Sequence, residues 1–100
     1  MAKTAFSELI AGNQPVLIDF FAEWCGPCQM MPPVLKEVKA KMGNQVKVVK
    51  IDIDKNQALA SRYQVQSVPT LMIFKNGEIV WRQSGVRPAH EIVKKLAEVN

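Results

Sequence analysis

A chain of 100 residues, 48% hydrophobic and 22% charged, has the length and composition of one folded domain that buries a core without staples; disorder and coiled coil are excluded. Its net charge of +4 is 13 basic against 9 acidic residues, spread as single lysines and arginines, so nucleic acid is not an expected partner. No stretch nears the roughly 18 apolar residues of a membrane helix, and Ser7 and Glu8 interrupt the N-terminal apolar patch of any signal peptide, so a cytoplasmic protein without a membrane partner is expected.

Residues 1–100 read as a single domain, with no repeat, low-complexity segment or linker. From Lys3 to Gly12, Phe6, Leu9 and Ile10 share a face and Gly12-Asn13 is a stop signal, which predicts a short helix. Pro15 then forces an extended lead into Val16–Phe21, apolar on both alternations as in a central strand covered on both faces. Asp19 is the exception in that run. Buried and ionised it costs several kcal/mol, so it is either partly protonated or paired, or it is a strand-end acid that reaches water.

Cys25-Gly26-Pro27-Cys28 follows directly. Beyond it, Met31, Leu35, Val38 and Met42 recur at helical spacing up to Gly43-Asn44, with Lys36, Lys39 and Lys41 between them. Pro27 suits a first helical turn, whereas Pro32 and Pro33 predict a kink in the early part. Val46–Asp54 alternates as a strand, Asn56–Tyr63 is a short weak helix, and Thr70–Phe74 and Glu78–Gln83 are strands joined through the hairpin signal Asn76-Gly77. Gly85 breaks the last strand, and Pro88 opens a final helix with a stripe of Ile92, Val93, Leu96 and Val99. The order is α-β-α-β-α-β-β-α. Its first two strands must be parallel and its last two antiparallel, which gives an α/β mixed sheet with helices on both faces.

The two cysteines are the only ones in the chain, and three positions apart they close too small a loop to add stability. If they pair, they pair for chemistry. Only a thiolate attacks a disulfide, so one cysteine needs a lowered pKa. Cys25, just before a helix, has the unpaired N–H groups and the dipole of the first turn to favour its negative charge. Gly26 allows the tight turn and Pro27 holds the thiols at bridging distance. Cys25 is then the attacking thiol, and Cys28, inside the turn and expected to be the less exposed, the resolving one. Asp19, six residues before Cys25, is available as the general base for resolution. Lys50, on the neighbouring strand, either tunes Asp19 or is a solvated strand-face lysine. A zinc site is not expected: it needs about four ligands, and beyond the cysteines only a distant His90 is on offer. At Val68-Pro69-Thr70 a proline opens a strand. A cis bond there would turn the backbone of Val68 outward to pair with an extended substrate segment; the sequence does not show the isomer, and from the residues alone a trans loop proline is the expectation.

Trp24-Cys25-Gly26-Pro27-Cys28, the preceding Asp19-Phe20, Val68-Pro69-Thr70, Phe74-Lys75-Asn76-Gly77 and Gly85 occur in order over nearly the whole chain from Val16, and together they resemble the thioredoxin family. The resemblance implies a thioredoxin-like fold and a general protein-disulfide reductase, a thiol–disulfide oxidoreductase that carries electrons in cell redox homeostasis. Cys25 and Cys28 match the nucleophilic and resolving thiols, Asp19 the buried acid, Lys50 the lysine near it, Pro69 the cis-proline and Pro33 the helix-kinking proline. Trp24, Gly26, Pro27, Val68 and Gly85 match the flat apolar surface that accepts disulfide-containing protein substrates. No cofactor would be bound: NADPH would act indirectly, through a flavin-dependent thioredoxin reductase, on a chain expected to be a monomer. Phe21 stands where many relatives have tryptophan, and Val86 where alanine is common. Met1–Thr4 is too short for the family's usual first strand, so about four strands are expected, with Val46–Asp54 as a charged edge. Two other readings compete: an oxidase or isomerase of an oxidising compartment, and a binding module that uses the surface around Trp24 and Pro69 without turnover.

Overall fold

Val16–Phe21 forms β1, a strand whose first five residues are all buried, as its two-sided apolar pattern predicts. The structure, a computed structural model, describes residues 4–100. Around β1 stand α1 (Ala5–Ile10), a 3-10 turn (Pro27–Met30), α2 (Met31–Met42), a second short turn (Gly43–Gln45), β2 (Lys47–Asp52), α3 (Gln57–Arg62), β3 (Thr70–Lys75), β4 (Glu78–Ser84) and α4 (Ala89–Val99). Among the described residues there is one four-stranded sheet, ordered β2-β1-β3-β4. β1 and β2 are parallel, and β1–β3 and β3–β4 antiparallel, so the sheet is mixed as expected.

The two faces of the sheet carry two cores. Leu17, Leu71 and Ile73 point to the side covered by α2 and α4, where Met31, Leu35, Val38, Ile92 and Leu96 complete a buried cluster. Val16, Ile18, Phe20, Met72 and Phe74 point the other way, against Ile10 of α1 and the half-buried Leu59 and Tyr63. Fully burying one such large apolar side chain contributes about 1.5–3 kcal/mol. Phe6, Tyr63 and Phe74 close the second core as a triad with ring centroids 5.4–5.6 Å apart, two of its three pairs edge-on.

Element ends differ from the sequence expectation where local hydrogen bonds intervene. Lys3 lies outside the described residues. Thr4 is the N-cap of α1: the Ser7 N–H donates to Thr4 Oγ1 at 3.0 Å and the Thr4 N–H to Ser7 Oγ at 2.8 Å, so Thr4 belongs to no strand. The segment after the cysteines starts as a 3-10 turn and becomes α-helix only at Met31. Pro32 and Pro33 explain this, because without N–H groups they give nothing to the carbonyls of Cys28 and Gln29. The Cys28 carbonyl instead accepts the Met31 N–H in a tighter i→i+3 bond. The prolines thus occupy the first turn of α2, where they are tolerated.

β2 stops at Asp52 rather than Asp54, because Asp52 Oδ1 accepts the backbone N–H of Asp54 at 2.8 Å and bends the chain away from the sheet. It is a sheet edge, as expected. Lys47 donates its N–H to Pro15 O and Ile53 to Phe21 O, so the odd positions bond inward and Val48 and Lys50 turn their backbone groups out. The exposed Lys47 and Lys50 side chains suit such an edge. In the β3–β4 hairpin Asn76 and Gly77 both have positive φ, 54° and 83°, as an Asn-Gly turn requires. Their N–H groups donate to Gly12 O and Ile10 O, which ties the end of α1 to the hairpin.

Candidate active site

Cys25 and Cys28 are joined as a disulfide with their Cα atoms 5.4 Å apart, on the turn that leads from β1 into α2. The exposure expected to separate them does not: Cys25 is 4% and Cys28 6% exposed. In the bonded pair both sulfurs sit in one small cluster with Ala22, flanked by Phe21, Ile53 and Val68. Hydrogen bonding separates them instead. The Cys28 backbone N–H donates to Cys25 Sγ at 3.1 Å, one of the orphan donors of a helical first turn aimed at a sulfur. A thiolate on Cys25 gains from that donor, and Cys28 has no counterpart among the described residues.

The Val68–Pro69 bond is cis, and Val68 O lies 3.6 Å from Cys25 Sγ. Forty-three residues apart in sequence, the two meet because β3 lies beside β1 and starts at the end where the cysteine turn leaves it. The loop is braced from two sides. Gly85, at φ 86°, donates its N–H to Pro69 O at 2.7 Å, and Thr70 Oγ1 donates to Ser67 O at 2.6 Å. Val68 is therefore brought to the disulfide, with Pro69 next to it in the chain and Gly85 bonded to Pro69. Gly26 and Pro27 form the turn itself, and an added Cβ at Gly26 would meet nothing within 4 Å, so the turn is open to solvent at Gly26.

Trp24 is 71% exposed beside the turn, and its indole N–H donates to Asp54 Oδ2 at 2.8 Å. In the sequence Asp54 stands only as the last charge of the predicted Val46–Asp54 edge. Its signal was the acid pair Asp52 and Asp54 at a strand end, where one acid turns the chain and the other is freed to reach out. Met30, two residues past Cys28 in the same 3-10 turn, is 62% exposed, and its helical register says nothing of which side stays uncovered.

Asp19 is fully buried on the sheet face covered by α2, and both its carboxylate oxygens lack a hydrogen-bond partner among the described residues. Of the two readings left open, the strand-end acid in water is therefore the wrong one. Burial raises its carboxyl and the Lys50 ammonium opposes the rise in part, leaving it at about 6 rather than 3.8. Lys50 is the cross-strand partner of Asp19 but its side chain is exposed and lies over the Phe21 ring, 5.0 Å from the centroid. It thus acts on Asp19 through space, and phenylalanine at position 21 supplies the face on which the ammonium rests. The arrangement is a protected sulfur pair, a buried acid that titrates at about 6, and the half-buried Val68 carbonyl beside them. Among the described residues no cluster of three or more potential metal ligands exists.

The family model described as Thioredoxin matches residues 1–98. The chain is 51% identical over 92 residues to a thioredoxin-like protein of Synechocystis sp., covering 91% of this chain and 88% of that protein. It is 40% identical over 94 residues to a bifunctional thioredoxin reductase/thioredoxin of Mycobacterium leprae, covering 94% of this chain and 20% of that longer protein. The structure matches that of a point mutant of thioredoxin from Halobacterium salinarum NRC-1 with a TM-score of 0.85 at 39% identity, covering 98% of this chain and 85% of the other.

Proposed function

The chain belongs to the thioredoxin family and is a thiol–disulfide oxidoreductase of that fold, and on this premise we propose the division of labour at its cysteines. Cys25 as thiolate attacks one sulfur of a protein disulfide. A new S–S bond forms to the substrate, the substrate's own S–S bond breaks, and its second sulfur leaves as a thiolate that takes up a proton. Cys28, deprotonated with Asp19 as the acceptor, then attacks Cys25 Sγ and releases the first substrate sulfur. The substrate gains two electrons and two protons, and the chain is left as the Cys25–Cys28 disulfide, the state seen here.

The observation that carries the assignment is the Cys28 N–H aimed at Cys25 Sγ, which favours negative charge on Cys25 alone. Val68 adds the place for substrate. Its carbonyl stands beside the sulfur on a half-buried residue at the end of the loop, so an extended segment paired with Val68 would carry a disulfide to within reach of Cys25. Trp24, Gly26, Pro27, Pro69 and Gly85 frame that segment, and Lys50 tunes Asp19 from outside.

Each turnover consumes the dithiol, so a reductant must restore it. In the M. leprae relative a thioredoxin reductase is named in the same chain as the thioredoxin. We assign this chain a separate thioredoxin reductase that draws on NADPH, with no cofactor bound to the chain itself. Such a cycle runs in a reducing compartment, here taken to be the cytoplasm, and the chain works in it as a monomer. The test is a protein-disulfide reduction assay with two variants. Cys25→Ser is expected to abolish reduction, and Cys28→Ser to accumulate mixed disulfides through Cys25. Full activity in Cys25→Ser rejects the assignment.

A further inference from the structure

We propose that Arg82 is a positioning residue for the substrate-docking loop: it fixes the point from which residues 64–69 depart and so holds Val68 against the disulfide. The inference rests on the reading of Val68 as a substrate contact. Arg82 lies on β4, far in sequence from both cysteines, and its side chain is exposed. Its two terminal nitrogens nevertheless donate to two successive backbone carbonyls, Nη1 to Tyr63 O at 2.5 Å and Nη2 to Gln64 O at 2.8 Å. A guanidinium spends both arms on main chain there rather than on a carboxylate.

Those carbonyls stand where α3 ends. Val65 donates its N–H to Ala60 O and Gln64 to Ser61 O, the paired bonds of a Schellman stop, with Gln64 in the left-handed region at φ 53°. Glycine is the usual residue at that position, because a side chain there is strained. The stop uses the N–H groups of residues 64 and 65 and leaves the carbonyls of Tyr63 and Gln64 for Arg82. The fork of Arg82 therefore holds in place a left-handed residue that does not favour that conformation by itself.

What departs from this point is the loop that reaches Cys25. Its far end is held by Gly85 N–H on Pro69 O, and Ser84 Oγ lies 3.4 Å from Thr70 Oγ1. One short piece of chain, the end of β4 and the Gly85 that follows it, thus grips the docking loop at both ends. Between the grips lie four residues, Val65 to Val68, and the last places its carbonyl 3.6 Å from Cys25 Sγ. Releasing the first grip lets Gln64 leave the left-handed region and swings the loop about its remaining hold.

The experiment compares Arg82→Ala, Arg82→Lys and the double variant Arg82→Ala with Gln64→Gly. Arg82→Ala is expected to raise KM for a protein disulfide about fivefold with kcat unchanged, the size of about one ordinary solvent-exposed hydrogen bond. A small aromatic disulfide, which needs no docking strand, should react at the original rate. Arg82→Lys should recover part of the KM, since one ammonium still reaches a carbonyl. Gln64→Gly should recover it in the Arg82→Ala background, because glycine enters the left-handed region without strain. Unchanged KM in Arg82→Ala, or no recovery on adding Gln64→Gly, overturns the proposal. Backbone amide shifts of Val65–Val68 are read on the same proteins and need no turnover. If the unaltered chain reduced no protein disulfide, the functional reading would fail. The positioning role would still be decided by whether those amides move in Arg82→Ala and return in the double variant.

Discussion

Asp19 and Lys50 are direct partners in the parallel pairing of β1 and β2, yet the carboxyl is sealed from water and the ammonium is not. The acid therefore carries the cost of burial while its nearest opposite charge is screened by solvent. Burial wins, and the carboxyl titrates at about 6.

That balance makes stability depend on pH with a definite sign. Below 3.8 Asp19 is protonated in both folded and unfolded chains and its charge costs nothing; above about 6 it is ionised in both and the penalty for burying the charge is complete. Between the two values only the folded chain keeps the proton, so stability falls as pH rises, by about 3 kcal/mol in all. Asp19→Asn is expected to flatten that slope and to be the more stable protein at pH 7. Denaturant titrations of the oxidised forms from pH 3.5 to 7.5 check it, since bonded sulfurs do not titrate. An unchanged slope in the variant would assign the pH dependence elsewhere.

The same substitution should slow release from the mixed disulfide at neutral pH, because the acceptor for the Cys28 proton is gone. In the unaltered chain the single-turnover resolution rate should rise with pH through about 6, where Asp19 loses its own proton. Equal rates in both proteins at pH 7 would remove Asp19 as the base.

Lys50→Ala removes the charge that holds the Asp19 carboxyl down. The carboxyl should then titrate at a higher pH, which a carbon-detected titration of the Asp19 side chain reads directly. The pH dependence of resolution should move in the same direction. If the carboxyl does not move, Lys50 is only a solvated lysine resting on Phe21.

Asp54→Ala leaves the exposed Trp24 indole without its 2.8 Å acceptor. A side chain ordered only on binding costs about 0.5–1.5 kcal/mol, so KM for protein disulfides should rise by roughly two- to tenfold. Faster fluorescence depolarisation of Trp24, measured in a Trp81→Phe background, should accompany it. Unaltered depolarisation would mean that packing alone orients the indole.

Gly85→Ala meets no atom within 4 Å, so space does not oppose it, but φ 86° does. The strain is about 1–2 kcal/mol, and thermal unfolding should show a loss of that size. Relaxing the strain would draw the N–H away from Pro69 O and raise KM as well. A variant as stable as the original would show that the backbone adapts there freely.

Much of this fold could be read from side-chain pattern, because the pattern is local. The two-sided apolar run of β1, the alternation of β2, the Asn76-Gly77 turn and the stripes of α2 and α4 each follow from neighbours within a few residues. The unequal thiols were also legible, since the cause is a first helical turn three residues long. That Cys28 would be the more hidden was not, because exposure depends on Ala22, Ile53 and Val68 closing over both sulfurs.

What the chain by itself determined is the chemistry on offer: two thiols at a strand-to-helix turn, one acid in an apolar strand, and a proline leading a third strand. Tertiary structure decided which of these meet. The sheet order brings Val68, from 43 residues away, to Cys25; the turn at Asp52 sends Asp54 to Trp24; and Arg82 of β4, with Gly85 just after it, reaches back to hold the docking loop. Each is a hydrogen bond or contact between residues tens of positions apart. No periodicity encodes such a pairing, because its geometry exists only once the strands have chosen their neighbours.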